Sequence, residues 1–239
     1  YFQTIAVKEP VNHFMGASRL YESEKPSPIQ TYNRPLPIYQ GAYNKTVMLI
    51  PHYATYQQTN EASCGPASLI MLLHYYGIDD VSENQLYHEM DVRYIDNPKA
   101  DGSYGSSTNM MADALRKRGF TVQTSKDTQD ANGYSFQDIH AFTNFVKSNL
   151  QANKPILVEN MEWGGHWLTI IGYDDMGTKT PIDDTLIFAD PYDVSDQYQD
   201  GYMTRNAYRY FSEWVDAGIM PKDERIQQYI AIVKAPPKL

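Results

Sequence analysis

The chain of 239 residues has one cysteine, Cys64, in the run Gln58-Thr-Asn-Glu-Ala-Ser-Cys-Gly-Pro-Ala. A lone cysteine is ordinarily a small buried hydrophobe. Here the thiol stands before an apolar stretch and not within it, with Ser63 and Gly65 on either side, which places it at a helix entrance. Free backbone N–H groups and the positive end of the helix dipole favour an anion there, so the thiol pKa falls and a thiolate nucleophile becomes available. Pro66 suits a first-turn position that needs no N–H, and Gly65 is expected to leave room for a substrate at the sulfur. Gln58 precedes Cys64 by six positions, which lets its side-chain amide fold back and donate to a developing oxyanion.

A thiol nucleophile needs a base, and the base needs an orienting group. His166 follows Gly164 and Gly165 at the mouth of an apolar, β-branched run, where a strand can aim its ring across a cleft. It would take the thiol proton and later return it to a leaving amine. Asp190 is the candidate third group: it ends the run Leu186 to Ala189, and Pro191 turns the chain away from it. An Asp before Pro is also a common turn initiator. Asp174 and Asp175 are rival carboxylates, but they close the far end of the His166 run. Among the other histidines, His74, His88 and His140 fall in helical patterns, while His13 and His52 fall in or near the N-terminal segment; His52 is the distant alternative base. Gly65, Gly164, Gly165, Trp163 and Trp167 make up the candidate substrate-binding set. The two tryptophans either wall a groove beside His166 or pack in the core. Asp193, Asp196 and Asp200 lack the spacing of a calcium loop and read as a solvated turn. No Cys/His cluster for zinc is present, and no metal or cofactor is expected.

Three motifs follow one another in order: Gln-x5-Cys-Gly-Pro-Ala, then Gly-Gly-His-Trp-Leu-Thr-Ile-Ile-Gly-Tyr-Asp over 164–174, then Phe-Ala-Asp-Pro-Tyr over 188–192. Together they resemble the papain-like cysteine peptidases, and in particular the bacteriocin-processing double-glycine peptidases, family thirty-nine of the cysteine class. The resemblance extends from near Ile50 to the end of the chain. It implies a papain-like cysteine proteinase fold, α+β, with a helical lobe packed on an antiparallel sheet, and it gives Asp190 the third place in a Cys-His-Asp triad. The best-known members cut leader peptides after Gly-Gly and are fused to exporter domains; no exporter is recognisable here. The expected activity is hydrolysis of a peptide bond through a thioester. The same triad can run acyl transfer or amide hydrolysis on a non-protein substrate, and the cleft can also serve a silent peptide-binding module.

The elements that must position these groups follow from periodicity and punctuation. Thr46 to Ile50 reads as a short strand leading into the Cys64 loop. The apolar run after Cys64 reads as a helix through Tyr76, stopped by Gly77. Ser82 and Gln85 open a short helix to about Met90, and a loop rich in Asp, Gly and Ser follows to Ser107. Met110, Met111, Ala114 and Leu115 mark the buried face of a helix that Gly119 stops, before a strand from Phe120 to Thr124. Ser135 with Asp138 opens a helix in which Ile139, Phe142, Val146 and Leu150 recur at helical spacing. Strands are expected at Pro155 to Glu159, Trp167 to Tyr173 and Leu186 to Ala189, then a helix from Asn206 to Ala217 and a last strand from Tyr229 to Val233. Helices first and strands last is the pattern of an α+β fold with separate layers.

Composition narrows the partners. A net charge of −9 argues against nucleic acid and anionic membranes, which reward clustered Lys and Arg; a peptide or protein substrate fits the site chemistry. No apolar run is long enough to span a bilayer. A single cysteine allows no internal disulfide, and nothing in the sequence specifies an oligomeric state. Residues 1–45 carry Pro10, Pro26, Pro28, Pro35 and Pro37 among polar and aromatic residues and are expected to run extended outside a peptidase domain over 46–239. The opening Tyr-Phe-Gln resembles the remnant of a tag-protease site, so a signal or anchor is expected to have been trimmed. Abundant Tyr, Asn, Gln and Thr with one Cys suits a secreted or surface-held bacterial protein, with a cytoplasmic location as the alternative.

Overall fold

In the computed structural model the described residues are 38–40, 45–160, 165–194, 199–215 and 220–237. The N-terminal segment expected over 1–45 lies almost wholly outside them, as do Trp163, Gly164, Asp196 and the far end of the helix expected to reach Ala217. Among the described residues no helix is long and apolar enough to cross a membrane.

The chain enters the fold through β1 (Val47–Leu49) and a stretch without regular structure, then begins α1 (Cys64–Tyr75) at the cysteine itself. α1 buries every residue from Cys64 to Leu73, so it is a core helix and not an amphipathic one. Gly77, at φ +82°, ends it in the left-handed conformation that a glycine adopts without strain. α2 (Glu83–Glu89) follows, with Ser82 Oγ accepting from Gln85 N at 3.1 Å. The long loop after it leads to α3 (Thr108–Lys117), β2 (Thr121–Thr124) and a single turn, α4 (Ser125–Thr128). α4 was not apparent from periodicity because one turn shows none; it forms because Thr124 N donates to the Asp127 carboxylate at 2.7 Å.

α5 (Ile139–Gln151) starts three residues later than the sequence pattern suggested. Asp138 is its cap, accepting from Ala141 N at 2.8 Å, whereas Ser135 N is held by Gln227 Oε1 at 2.9 Å. β3 (Ile156–Asn160), β4 (His166–Asp174) and β5 (Thr185–Ala189) follow as expected, and every residue in them is buried. β6 (Tyr202–Asn206) was not expected. It is an edge strand with only Met203 buried, so it lacks the apolar alternation that marks a strand. Asn206 ends it and caps α6 (Ala207–Glu213), accepting from Arg209 N at 2.8 Å.

β7 (Tyr229–Lys234) inserts between β2 and β3 in a sheet whose order is β2-β7-β3-β4-β5-β6, with β1 added beside β4 and every pairing antiparallel. Side chains alternate between the faces of a strand, and the core divides accordingly. Leu157, Trp167 and Ile230 join the cluster containing Leu69, Leu72 and Leu115 of α1 and α3. Ile156, Leu168, Ile170 and Phe188 join Phe142, Tyr210 and Trp214 of the α5 and α6 region. The architecture is α+β, with the α1–α3 layer on one face of an antiparallel sheet and α5 and α6 on the other.

Candidate active site

Cys64 is the first residue of α1, and the usual cap is missing there: Ser63 makes no side-chain bond to the helix. The first-turn N–H groups therefore remain open to the sulfur. Cys64 is buried, and burial by itself pushes the thiol up. A hydrogen bond and the positive charge of His166, with N–H donation from Trp167 and Gly65, outweigh burial and hold the thiol below its ordinary value. The sheet is tied to this helix next to the nucleophile, because Ser68 Oγ donates to Trp167 O at 3.1 Å.

His166 is the first residue of β4, and Asp190 directly follows β5. Thr169 pairs with Ala189, so the start of β4 and the end of β5 lie side by side at one end of the sheet, where His166 and Asp190 meet. The Nε2–H of His166 donates to Asp190 Oδ1 at 2.7 Å, which leaves Nδ1 for Cys64. Burial disfavours the imidazolium, but the bond to Asp190 and the contact with Cys64 prevail and push His166 up to about 10. Asp190 moves the other way: burial raises its carboxyl, yet His166 and the N–H groups of Tyr192 and Asp193 hold it below the ordinary carboxylate range. Its Oδ1 also accepts from Tyr192 N at 2.8 Å, and its own N–H donates to Gly201 O at 2.8 Å. The turn that Pro191 imposes is thus part of the frame that aims the carboxylate.

Gln58 borders the same cavity. Its amide nitrogen donates to Asn60 O at 2.8 Å and lies a long 3.4 Å from Glu61 O, so the amide as a whole has to turn from these carbonyls to meet an oxyanion. The backbone of Gln58 is fixed to the Asp190 turn, its N–H donating to Pro191 O at 2.8 Å. Glu83, the first residue of α2, holds the loop from its other side: its carboxylate accepts from Tyr56 Oη at 2.9 Å, Thr59 N at 3.0 Å and Thr59 Oγ1 at 2.9 Å. Sequence reasoning missed Glu83, since an acidic residue in a first helical turn reads only as a complement to the dipole.

Of the substrate-binding candidates, Gly165 lines the cavity and takes φ +128°, a conformation reserved for glycine. Trp167 also lines it, but it is 1% exposed, packs in the core and donates Nε1–H to Ser106 O at 2.6 Å. Both readings of that tryptophan therefore apply to one residue. Gly65 requires a correction. The space beside its Cα is taken by Ser106 and not left to a substrate, since a Cβ there would lie 2.4 Å from Ser106 Oγ. Trp163 and Gly164 fall outside the described residues. Asp174 sits at the opposite end of β4 bound to Thr46, while His52 stacks on Tyr39. Asp193 accepts from Gly201 N at 2.7 Å and Asp200 from Tyr202 N at 3.0 Å, as turn residues do.

The arrangement brings a thiol with a lowered pKa, an imidazole with a raised one and an orienting carboxylate together, with the Gln58 amide and a cavity of about 530 Å³ beside them. A model of the Peptidase_C39 like family matches residues 50–217. Two solved structures are similar to the chain. The peptidase domain of Streptococcus ComA, a bifunctional ABC transporter involved in a quorum-sensing pathway, is 19% identical, with 77% of this chain and 99% of that one covered and a TM-score of 0.44. A double glycine motif protease from an AMS/PCAT transporter, solved in complex with the leader peptide, is 17% identical, with 74% and 88% covered and a TM-score of 0.38. No curated protein matches the chain.

Proposed function

This chain belongs to the Peptidase_C39 like family, and we propose that it is a cysteine peptidase that hydrolyses a peptide bond through Cys64, His166 and Asp190. The observation that carries the reading is the buried hydrogen-bonded line from Cys64 through His166 to Asp190, with the thiol lowered and the imidazole raised. Opposite shifts of that kind favour transfer of the thiol proton to the imidazole, which prepares the nucleophile and general acid that amide cleavage requires.

The thiolate attacks the carbonyl carbon, and the oxygen gathers negative charge near the Cys64 backbone N–H and the Gln58 amide, which turns towards it. His166 passes its proton to the leaving amine, and the C–N bond breaks to leave a thioester. Water then attacks, giving up a proton to His166, and the acid product leaves as the thiol is regenerated. Asp190 keeps the ring in the tautomer that presents Nδ1 to sulfur throughout.

The test measures iodoacetamide alkylation of Cys64 against pH in the parent and in His166→Ala. Rapid reaction well below the roughly 8.5 of an ordinary thiol, lost in the variant, is the expected result. An ordinary thiol profile in both would overturn the ion pair. Cys64→Ala is expected to abolish peptide hydrolysis without unfolding the protein, and full activity in it would exclude the nucleophile.

A further inference from the structure

Building on the peptidase reading, we propose that the cavity beside Cys64 and His166 is a pocket for one large apolar side chain of the substrate. The preferred peptide then carries a Leu- to Tyr-sized residue within two positions of the scissile bond, and not a pair of glycines.

The rim of the cavity is apolar and open. Ile95 is 68% exposed, Val194 45% and Tyr94 38%, and all three border the cavity that contains the reacting pair. Scattered exposed apolar residues need no explanation, but a group of them around one opening marks a surface that is covered in use. The floor is apolar and closed: Met220 is 3% exposed and Trp167 1%, both lining the same space, with Tyr104 on the wall. A cavity of about 530 Å³ with apolar side chains at its rim, wall and base has the volume to receive a side chain, which a flat groove for backbone alone does not need.

The pocket is framed on two sides. Tyr94, Ile95 and Tyr104 belong to the loop between α2 and α3, whereas Val194 follows the Asp190 turn and Met220 precedes β7. A peptide laid between them passes Cys64. The loop wall is preformed: Gly105 N donates to Arg93 O at 2.8 Å, and Tyr94 Oη donates to Asn60 Oδ1 at 2.9 Å. Holding the walls apart in advance saves the cost of ordering them on binding.

Charge restricts the occupant further. Glu61 is the one acidic side chain among the described lining residues, and no Lys or Arg is among them. An acidic side chain would lose hydration and meet a like charge, while an aliphatic or aromatic one gains by leaving water. Two glycines would bring no apolar surface to Met220 and Trp167.

The experiment uses internally quenched peptides of one backbone that differ at a single central residue, Leu, Phe, Lys, Glu or a Gly-Gly pair, with products located by mass spectrometry. kcat/KM for Leu and Phe is expected to exceed that for Glu and Gly-Gly by about tenfold or more, with the cut one or two residues from the variable position. Ile95→Asp is expected to shift the Leu-to-Lys ratio about tenfold towards Lys; its exposed position keeps the fold intact, which thermal melting checks. Equal rates across the series, a Gly-Gly preference, or an unchanged ratio in Ile95→Asp each overturn the pocket. The burst of nitrophenolate from p-nitrophenyl acetate separates this from the reading beneath it. A burst with a flat peptide series refutes the pocket alone, and no burst refutes the peptidase.

Discussion

His166 and Asp190 on the sheet and Gln58 on its loop face one cleft, but they are held in opposite ways. The first two stand at the ends of β4 and β5, whose residues are all buried, and they are themselves 5% and 1% exposed. Gln58 lies in a stretch without regular structure, between the Pro191 carbonyl and the carboxylate of Glu83. The contrast follows from charge. A pair of ionised groups taken out of water is tolerable only if each is fixed against its partner. A neutral amide donor needs only to be aimed, and a loop pinned at a few points does that.

The strongest way to break this comparison is Asp190→Asn. The sheet holds the asparagine in place, but His166 loses its charge partner, and kcat/KM is expected to fall about 10²- to 10⁴-fold. The alkaline limb of the rate profile should move to lower pH, because Asp190 helps keep His166 protonated up to about 10. The stability of the parent carries the same signature. The raised His166 contributes fully below its unfolded value of roughly 6.5 and loses that contribution as pH rises towards about 10. The depressed Asp190 contributes above the ordinary carboxylate range and loses it on acidification through its lowered value. Urea midpoints of parent and variant should therefore differ most near neutrality and converge at high pH. Parent-like activity in Asp190→Asn would show that the sheet side is no more critical than the loop.

A smaller effect is expected at the helix start. In Gly65→Ala the new methyl group would meet Ser106 Oγ at 2.4 Å and Ser106 Cβ at 2.5 Å, and Ser106 O in turn holds the Trp167 indole at 2.6 Å. The overpacking should cost about 1–3 kcal/mol, measured by chemical denaturation. Ser106→Gly in the same protein should recover most of it, since residues in contact couple. A variant as stable as the parent would mean that α1 and the 105–107 loop are loosely packed, which would move the nucleophile from the rigid to the adjustable side of the comparison.

What the sequence revealed of the site follows the same division. Cys64, His166 and Asp190 sit where local signals are strong: a helix entrance with Gly and Pro, a Gly-Gly before a β-branched run, and an Asp-Pro at a strand end. Those elements are where they were expected, because apolar periodicity and burial agree. Glu83 and Ser106 could not be found that way. Their parts depend on segments far along the chain meeting in space, Glu83 with Thr59 and Ser106 with Gly65 and Trp167, and a single sequence holds no trace of such meetings. β6 was missed for the reason edge strands usually are: with one buried residue it has no second face to alternate with. The interior place of β7, between β2 and β3, was equally hidden, since order in a sheet is set by long-range pairing and not by order in the chain.

The smallest expected effect lies on the loop, in Glu83→Gln. The amide is nearly the same shape and its oxygen can still accept from Thr59, but one acceptor is lost opposite Tyr56, and the remaining bonds are no longer charge-assisted. The loop stays in place with a looser hold on Gln58. The oxyanion donor is then less well aimed in the transition state and no worse in the ground state, so kcat should fall about three- to tenfold with KM unchanged. Alkylation by iodoacetamide forms no oxyanion, so its rate should be untouched, whereas acylation by p-nitrophenyl acetate does form one and should slow. A general loosening of the fold would depress both reactions alike. Should alkylation fall in step with acylation, Glu83 supports the thiolate pair itself, and the loop would then have to be counted with the sheet as part of the rigid frame.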